Sequence, residues 1–297
     1  MRPRVALVTA RAARALDEDL PPLVAALAAA GAAADCVDWD DPQADWARFD
    51  AAVLRSAWDY AERLPEFLAW AARVAAVTRL LNPEPVLRWN TDKHYLRELA
   101  RAGAPVVPSR FVEPGEDPAA ALAEFLAADP CGELVVKPAV GAGARDAQRH
   151  ARVDHAQATE HVRRLLAARR SVMLQPYLAG VDRDGETALM YVDGRFSHAV
   201  RKAALLPPGA PATAALFAPE EIIARAPAGD ELAAGGRILA ALPFGTLLYA
   251  RVDLLRDAAG APRLLELELT EPSFFFAHAP GSARRFAAAL LRRLASA

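Results

Sequence analysis

Two carboxylates alternate with leucines in the segment LLELELTEPSFFF, residues 264–276. Successive side chains of a β-strand point to opposite faces. Glu266, Glu268 and Thr270 are therefore expected to share one face, and Leu265, Leu267 and Leu269 the other. A further carboxylate, Glu271, follows directly. An acidic strand face is either solvated or holds a cation, and this pattern alone leaves both interpretations open.

A second acidic position lies in LLYARVDLL, residues 247–255, where Arg251 and Asp253 share a strand face. The short connection RDAAGAPR predicts antiparallel pairing with the first segment, with Asp253 facing Glu268. Converging carboxylates repel each other unless a cation lies between them. Oxygen ligands suit Mg²⁺, which usually also contacts substrate phosphates. The six histidines are scattered without zinc-like spacing. The two strands together favour a magnesium–nucleotide site over a solvated face.

A loop of small residues follows a lysine in VVKPAVGAGARD, residues 135–146. Lys137 would end a strand, and Gly141, Ala142 and Gly143 would let backbone N–H groups approach an anion closely. A lysine supplies positive charge for phosphate. The alternative is an ordinary hairpin loop with a solvated lysine. The motif is not a P-loop, because the lysine precedes the glycines.

A polar and aromatic turn, RSAWDY, follows the third predicted strand. Ligands of open α/β sheets bind beyond the carboxyl ends of the strands. Arg55 is predicted to clamp a substrate carboxylate, and Ser56, Trp58, Asp59 and Tyr60 to shape an amino-acid pocket. The alternative is that the two aromatic residues belong to the core or to a cap.

The elements that would position these residues change character along the chain. The first third alternates strands and helices, which predicts an α/β fold with a parallel sheet. It lacks G-x-G-x-x-G after the first strand, which disfavours a dinucleotide site. Later segments indicate an α+β arrangement that includes a hairpin turning at Asp193 and Gly194. Asn90 or Thr91 is predicted to cap a helix, and residues 205–229 are predicted to form a loop.

Bulk properties exclude several classes of protein. The chain has 297 residues, is 54% hydrophobic and has a formal net charge of −2, which does not indicate nucleic-acid binding. It contains no run of 18 apolar residues, so no membrane span is expected. The short apolar run near the N-terminus is soon followed by charges and is expected to be a first strand and not a signal peptide. Cys36 and Cys131 have no metal or redox spacing, and a reduced, cytoplasmic protein is expected.

The order and spacing of these motifs resemble the ATP-grasp ligases, from about NTDKHYL at residue 90 to ELELTEPS, which ends at residue 273. The resemblance implies ATP as nucleotide, Mg²⁺ as metal, and two lobes that clasp ATP behind an N-terminal parallel-sheet domain. The implied domains are 1–90, which binds substrate, 91–172, and 173–297, which holds the metal. The implied nucleotide-binding residues are Lys93, Lys137, Gly141, Ala142, Gly143, Gln175, Pro176, Tyr177 and Leu178, with Asp182 or Glu186 near the ribose.

The same resemblance implies a metal site and a phosphate site. Asp253 and Glu268 match the magnesium ligands. The family usually has Glu-x-Asn in the last motif, but this chain has Thr270 in place of the asparagine, and Glu271 is the alternative ligand. The implied residues for the γ-phosphate and an acyl phosphate are Arg201, Lys202 and Arg251.

Further motifs, namely DEDLPPL, LRSAWDY, LNP with RWNTDK, SHAVRK and ELELTEPS, resemble the subgroup that includes the O-ureidoserine cyclo-ligase of cycloserine biosynthesis. This chain has Ala57 where a threonine is expected. The resemblance implies a small amino-acid-like substrate whose carboxylate is activated as an acyl phosphate and then attacked by nitrogen, in a monomer or homodimer. Ser197 and His198 are further substrate candidates. A phosphotransferase and a non-catalytic ATP-binding module remain the alternatives.

Overall fold

Three β-sheets organise the chain in the computed structural model, which describes residues 2–210, 213, 215–216 and 220–296. The first sheet is parallel throughout, with strand order β2-β1-β3-β4. Its strands and the accompanying helices are β1 Arg4–Thr9, α1 Leu20–Ala29, β2 Ala33–Asp38, β3 Ala51–Ser56, α2 Leu64–Ala75, β4 Arg79–Leu81 and α3 Glu84–Asn90. The predicted parallel sheet is confirmed, and the RSAWDY turn begins at the carboxyl end of β3.

The second sheet is antiparallel, with strand order β5-β8-β6-β7. Its elements are α4 Tyr95–Arg101, β5 Arg110–Val112, α5 Pro118–Ala128, β6 Glu133–Pro138, β7 Gln148–Ala151, α6 His155–Ala167 and β8 Val172–Pro176. The predicted domain boundary after residue 172 would separate the first residue of β8 from the rest of this strand. We therefore propose that this unit extends to Pro176. The predicted cap at Asn90 or Thr91 is wrong, because Asn90 ends α3 and α4 begins only at Tyr95.

The third sheet is also antiparallel, with strand order β11-β10-β9-β12-β13. Its elements are α7 Val181–Asp184, β9 Glu186–Val192, β10 Arg195–Lys202, β11 Ile222–Arg225, α8 Gly229–Ala240, β12 Tyr249–Arg256, β13 Pro262–Glu268 and α9 Ser282–Ala295. The hairpin prediction is confirmed, since Asp193 and Gly194 both have positive φ angles, 54° and 72°. Strand β11 lies inside the predicted loop 205–229, of which residues 211, 212, 214 and 217–219 lie outside the described residues.

The register of β12 against β13 differs from the prediction by two residues. Asp253 lies opposite Glu266, whereas Arg251 lies opposite Glu268. The pairing shifts between Asp253 and Leu254, so that Leu265 is an extra residue on its strand. Leu264 and Leu267 therefore enter the core, and Leu265 lines a cavity. The predicted placement of Leu265 on the apolar face is wrong, because a bulge interrupts the two-residue period.

Candidate active site

A cavity of about 400 Å³ lies where the three sheets meet. Strands β6, β8, β9, β10, β12 and β13 and the loops that follow β1 and β3 contribute to its wall. Most of the predicted site residues line it, namely Trp58, Tyr60, Lys93, Lys137, Gly141, Ala142, Gly143, Gln175, Pro176, Tyr177, Leu178, Glu186, Lys202, Arg251, Asp253, Glu268 and Glu271.

A buried arginine joins the two predicted metal-binding carboxylates. The Arg251 guanidinium donates to Asp253 at 2.9 and 2.8 Å, and a further hydrogen bond joins it to Glu268. It also reaches the main-chain carbonyl of Ser273 at 3.3 Å. Arg251 and Glu268 face each other across the β12–β13 pair, so the sheet register itself brings them together. Two carboxylates and a cation thus form one buried group at the cavity wall.

A lysine extends this group towards β9. Lys202 Nζ lies 2.7 Å from Glu186, 3.3 Å from Asp253 and 3.5 Å from Glu220. Glu186 and Lys202 are directly opposite on the β9–β10 hairpin. Burial lowers the pKa of Lys202, but the carboxylates around it raise that pKa well above its usual value. The lysine is therefore charged at neutral pH.

The carboxylates of the group carry different shares of the negative charge. Burial raises the pKa of Glu186 to about 8 and that of Glu268 to about 7, despite the neighbouring Lys202 and Arg251. Burial also tends to raise the pKa of Asp253. The positive charges of Arg251 and Lys202 outweigh this effect and hold the pKa of Asp253 well below its usual value. Asp253 is consequently the anion that both cations share.

Two further lysines lie beside the small-residue loop. Lys93 Nζ donates to the Gly141 carbonyl at 2.6 Å and lies 2.9 Å from Glu266. Burial lowers the pKa of Lys137 to about 8, so a substantial fraction of this side chain is the neutral amine in mildly alkaline solution. The two lysines and the loop form a positively charged end of the cavity suited to phosphate oxygens.

The loop itself closes over the cavity between β6 and β7. Gly143 has a φ of 62°, a conformation that glycine adopts without strain. The Arg145 side chain forms an ion pair with Glu62 of the N-terminal region and donates to the Ala215 carbonyl at 3.2 Å. The loop is thereby linked both to the first sheet's region and to the segment that follows β10.

The predicted adenine-binding segment begins in β8. Gln175 is 1% exposed, donates to Ser109 at 2.9 Å, and leaves its side-chain oxygen without a hydrogen-bond partner among the described residues. Tyr177 lines the cavity and supports the Arg149 guanidinium 3.7 Å above its ring. Asp182 does not line the cavity, because its carboxylate accepts hydrogen bonds from Arg149 and Tyr177. Of the two ribose candidates, Glu186 is the one at the cavity.

Arg55 does not occupy the position predicted for a substrate clamp. Its side chain is fully buried, donates to the Pro272 carbonyl at 3.0 Å and to Asp19 at 3.3 Å, and lies over the Phe274 ring. Asp19 in turn accepts hydrogen bonds from the backbone N–H groups of residues 274–276. Arg55 therefore ties the N-terminal region to the segment after β13. It does not line the cavity, and its Nε has no hydrogen-bond partner among the described residues.

Two neighbours of Arg55 in the same turn also have structural partners. Ser56 shares a hydrogen bond of 2.7 Å with Thr9, and Asp59 accepts the Trp39 indole N–H at 2.9 Å. Neither lines the cavity, in contrast to the prediction. Trp58 does line it, and its indole N–H donates to the Glu271 carbonyl at 3.2 Å.

Three other predicted residues, all on β10, do not line the cavity. Arg201 points away from Lys202 and donates to the Asp184 carbonyl at 2.8 Å. His198 is held between Ser197 at 2.9 Å and the Phe274 carbonyl at 2.7 Å. The predicted roles of Arg201 in phosphate binding and of Ser197 and His198 in substrate binding therefore have no support in this geometry.

An asparagine network that the sequence analysis missed holds β13 in place. Asn90 accepts from the Leu269 N–H at 2.7 Å and donates to the Leu267 carbonyl at 2.8 Å. Thr270 donates to the same Asn90 oxygen at 3.2 Å and does not line the cavity. Glu271, which does line it, is therefore the better placed of the two alternative metal ligands. Long-range side-chain to backbone contacts of this kind leave no periodic signal in a sequence.

The residues present fit a magnesium ion that arrives with a nucleotide. In the described part of the chain, no three His, Cys, Asp or Glu side chains converge as a ready-made metal site. Mg²⁺ is usually bound through one or two carboxylates together with waters and phosphates. Asp253 and Glu268 provide such a pair, and Arg251 already shows that a positive charge between them is accommodated.

Comparison with known proteins agrees with this fold. A family model described as the N-terminal domain of D-cycloserine synthetase DcsG matches residues 5–82. The cycloserine biosynthesis protein DcsG of Streptomyces lavendulae is 45% identical over 299 residues, which cover 98% of each chain. The crystal structure of D-cycloserine synthetase DcsG superposes with a TM-score of 0.92 at 44% identity and covers 98% of this chain and 99% of that one.

A more distant structure shows the shared fold. The ATP-grasp ligase PsnB, complexed with a precursor variant, Mg and ADP, superposes with a TM-score of 0.65 at 20% identity over 99% of both chains. The fold is that of the ATP-grasp ligases, enzymes that form a carbon–nitrogen bond with the use of ATP and Mg²⁺. The chain belongs to the family of the D-cycloserine synthetase DcsG.

Proposed function

We propose that the protein activates the carboxylate of a small amino-acid-like substrate, such as O-ureidoserine, and closes it into a ring through a new carbon–nitrogen bond. The observation that carries the proposal is the buried group of Arg251, Lys202, Asp253 and Glu268 at the wall of one cavity with Lys93 and Lys137. Phosphoryl transfer depends mainly on positioning and on neutralisation of charge, which this arrangement supplies.

The reaction proceeds in two steps. A substrate carboxylate oxygen bonds to the γ-phosphorus of ATP, and ADP leaves, which yields an acyl phosphate. A nitrogen of the substrate then attacks the acyl carbon, loses a proton and displaces phosphate. Arg251 and Lys202 are assigned to the phosphoryl oxygens, and Lys93 and Lys137 to the nucleotide phosphates. The small-residue loop at residues 141–144 is assigned to water exclusion, since water would hydrolyse the acyl phosphate.

The metal assignment follows the carboxylates at the cavity. Asp253 and Glu268 would hold Mg²⁺, with Glu271 as a further ligand. Bound magnesium would supply positive charge to the phosphate oxygens. Because ATP is the phosphoryl donor, we also propose that the protein acts in the cytoplasm. The expectation of a monomer or homodimer remains a prediction.

A product assay tests this proposal directly. The protein is incubated with ATP, Mg²⁺ and O-ureidoserine, ADP release is measured, and the product is identified by mass spectrometry. A cyclised product that forms together with ADP is expected. A stable phosphate ester would support the phosphotransferase alternative, and ATP binding without ADP release on any amino-acid-like compound would support the non-catalytic one.

A further inference from the structure

The lysines and arginines that line the cavity lie at one end, formed by the second and third sheets' regions, and the N-terminal region forms the other end. Six carboxylates share the first end with these cations, those of Glu186, Glu220, Asp253, Glu266, Glu268 and Glu271. Five basic side chains line the cavity, and all come from the second and third sheets' regions: Lys93, Lys137, Arg145, Lys202 and Arg251. The N-terminal region, residues 2–90, contributes three acidic side chains to the wall, Asp17, Glu18 and Asp19, and among its described residues no basic one. Phosphates suit the first end, whereas the second end suits a cation.

Two charged groups of the N-terminal region, Asp19 and Arg55, are held by contacts with the segment after β13. Asp19 accepts from the N–H groups of residues 274–276 and from Arg55. Arg55 is fully buried and directed towards the Pro272 carbonyl. Neither group is available to a substrate without the loss of the contacts that hold the segment after β13.

Asp17 is the buried carboxylate at this end that has an unused acceptor, whereas Glu18 is exposed. Its side chain is 2% exposed and lines the cavity. Oδ1 accepts the Asp19 N–H at 3.0 Å and lies 3.9 Å from Arg55. Oδ2 has no hydrogen-bond partner among the described residues. A buried carboxylate oxygen without a donor is unfavourable, and a cationic donor that enters the cavity would satisfy it.

The chemistry of the reaction places a substrate cation close to this group. The carboxylate that is phosphorylated must lie at the basic end, near Arg251. In an amino acid, the ammonium group is bonded to the carbon next to that carboxylate, so the two binding sites must be neighbours. The segment at residues 272–276 joins them, because Arg55 binds the Pro272 carbonyl and Arg251 binds the Ser273 carbonyl.

We propose that Asp17 binds the ammonium group of a zwitterionic amino-acid substrate and thereby selects amino acids over carboxylic acids that lack the amine. This assignment rests on the proposed function, because it uses the direction of carboxylate activation. The sequence predicts that Arg55 recognises the substrate carboxylate. In this proposal, Asp17 recognises the substrate ammonium group instead.

A comparison of two compounds in two variants tests the assignment. ADP release is measured with O-ureidoserine and with its counterpart that carries hydrogen in place of the ammonium group. The wild type is expected to prefer O-ureidoserine in kcat/KM, and Asp17→Asn to reduce that preference by roughly ten- to a hundredfold, the range for a hydrogen bond to a charged group. The matched control, Asp45→Asn, changes an exposed aspartate of the same region and should keep the full preference.

The outcomes separate this assignment from the proposed function. If Asp17→Asn keeps the wild-type preference, or if the wild type consumes both compounds equally, ammonium recognition by Asp17 is overturned while the ligase function stands. If the wild type consumes neither compound, the proposed substrate is overturned and this assignment with it. Should Asp17→Asn fold poorly, Asp17→Glu provides the second test: it keeps the charge and is expected to keep a preference for the amine.

Discussion

The contact between Arg55 and the segment after β13 leads to a quantitative expectation about stability. Arg55→Ala removes a buried guanidinium that donates to Pro272 at 3.0 Å and to Asp19 at 3.3 Å. It leaves Asp17 and Asp19 buried without a cationic partner, for which the typical cost is about 3–5 kcal/mol. Asp19 keeps three backbone donors, so we place the loss of unfolding free energy near the lower limit, about 3 kcal/mol.

Urea denaturation followed by fluorescence measures this loss, with two controls. Arg48→Ala removes an arginine that pairs with Asp35, and both of these side chains are 44% exposed. This variant should lose less than about 1 kcal/mol of unfolding free energy. Arg55→Lys should recover only part of the loss, because an ammonium does not reproduce two directed contacts. An Arg55→Ala variant with wild-type stability and a greatly raised KM for the amino-acid substrate would refute this reasoning and restore the clamp role.

Three other expectations concern the cavity. Asp253→Asn and Glu268→Gln should each lower turnover by about two orders of magnitude or more while circular dichroism shows a folded protein; near-normal turnover at limiting Mg²⁺ would contradict the metal assignment. Because burial lowers the pKa of Lys137 to about 8 and only the charged form attracts phosphate, ATP affinity should fall as pH rises through 8. Calorimetry should show that Lys137→Ala weakens ATP more than adenosine and flattens this pH dependence, and an equal loss for both ligands would make the lysine structural. Gly143→Val should reduce kcat more than the thermal midpoint, because its φ of 62° suits glycine in the covering loop; a parallel collapse of both would indicate a structural turn.

The sequence by itself determined the class of fold and predicted most of the residues that line the cavity. Alternating strands and helices imply a parallel sheet regardless of the rest of the chain, because each helix can serve as the crossover connection that two adjacent parallel strands require. The Asp193–Gly194 turn is local, and its hairpin is confirmed. The predicted lysine, small-residue loop and two acidic strands likewise lie together at one cavity, although a bulge interrupts the alternation of the second acidic strand.

Only the tertiary structure decided which charged side chains face the cavity and which hold the fold together. Arg55 and Asp17 are both charged residues in loops or strand ends of the same sheet, yet one is buried against Pro272 and the other lines the cavity. Strand periodicity assigns a face, but a single bulge reversed the expectation for Leu265. The partners that decide these cases lie far away in the sequence, and the free energy of a buried charge depends on those partners more than on its own neighbours in the chain.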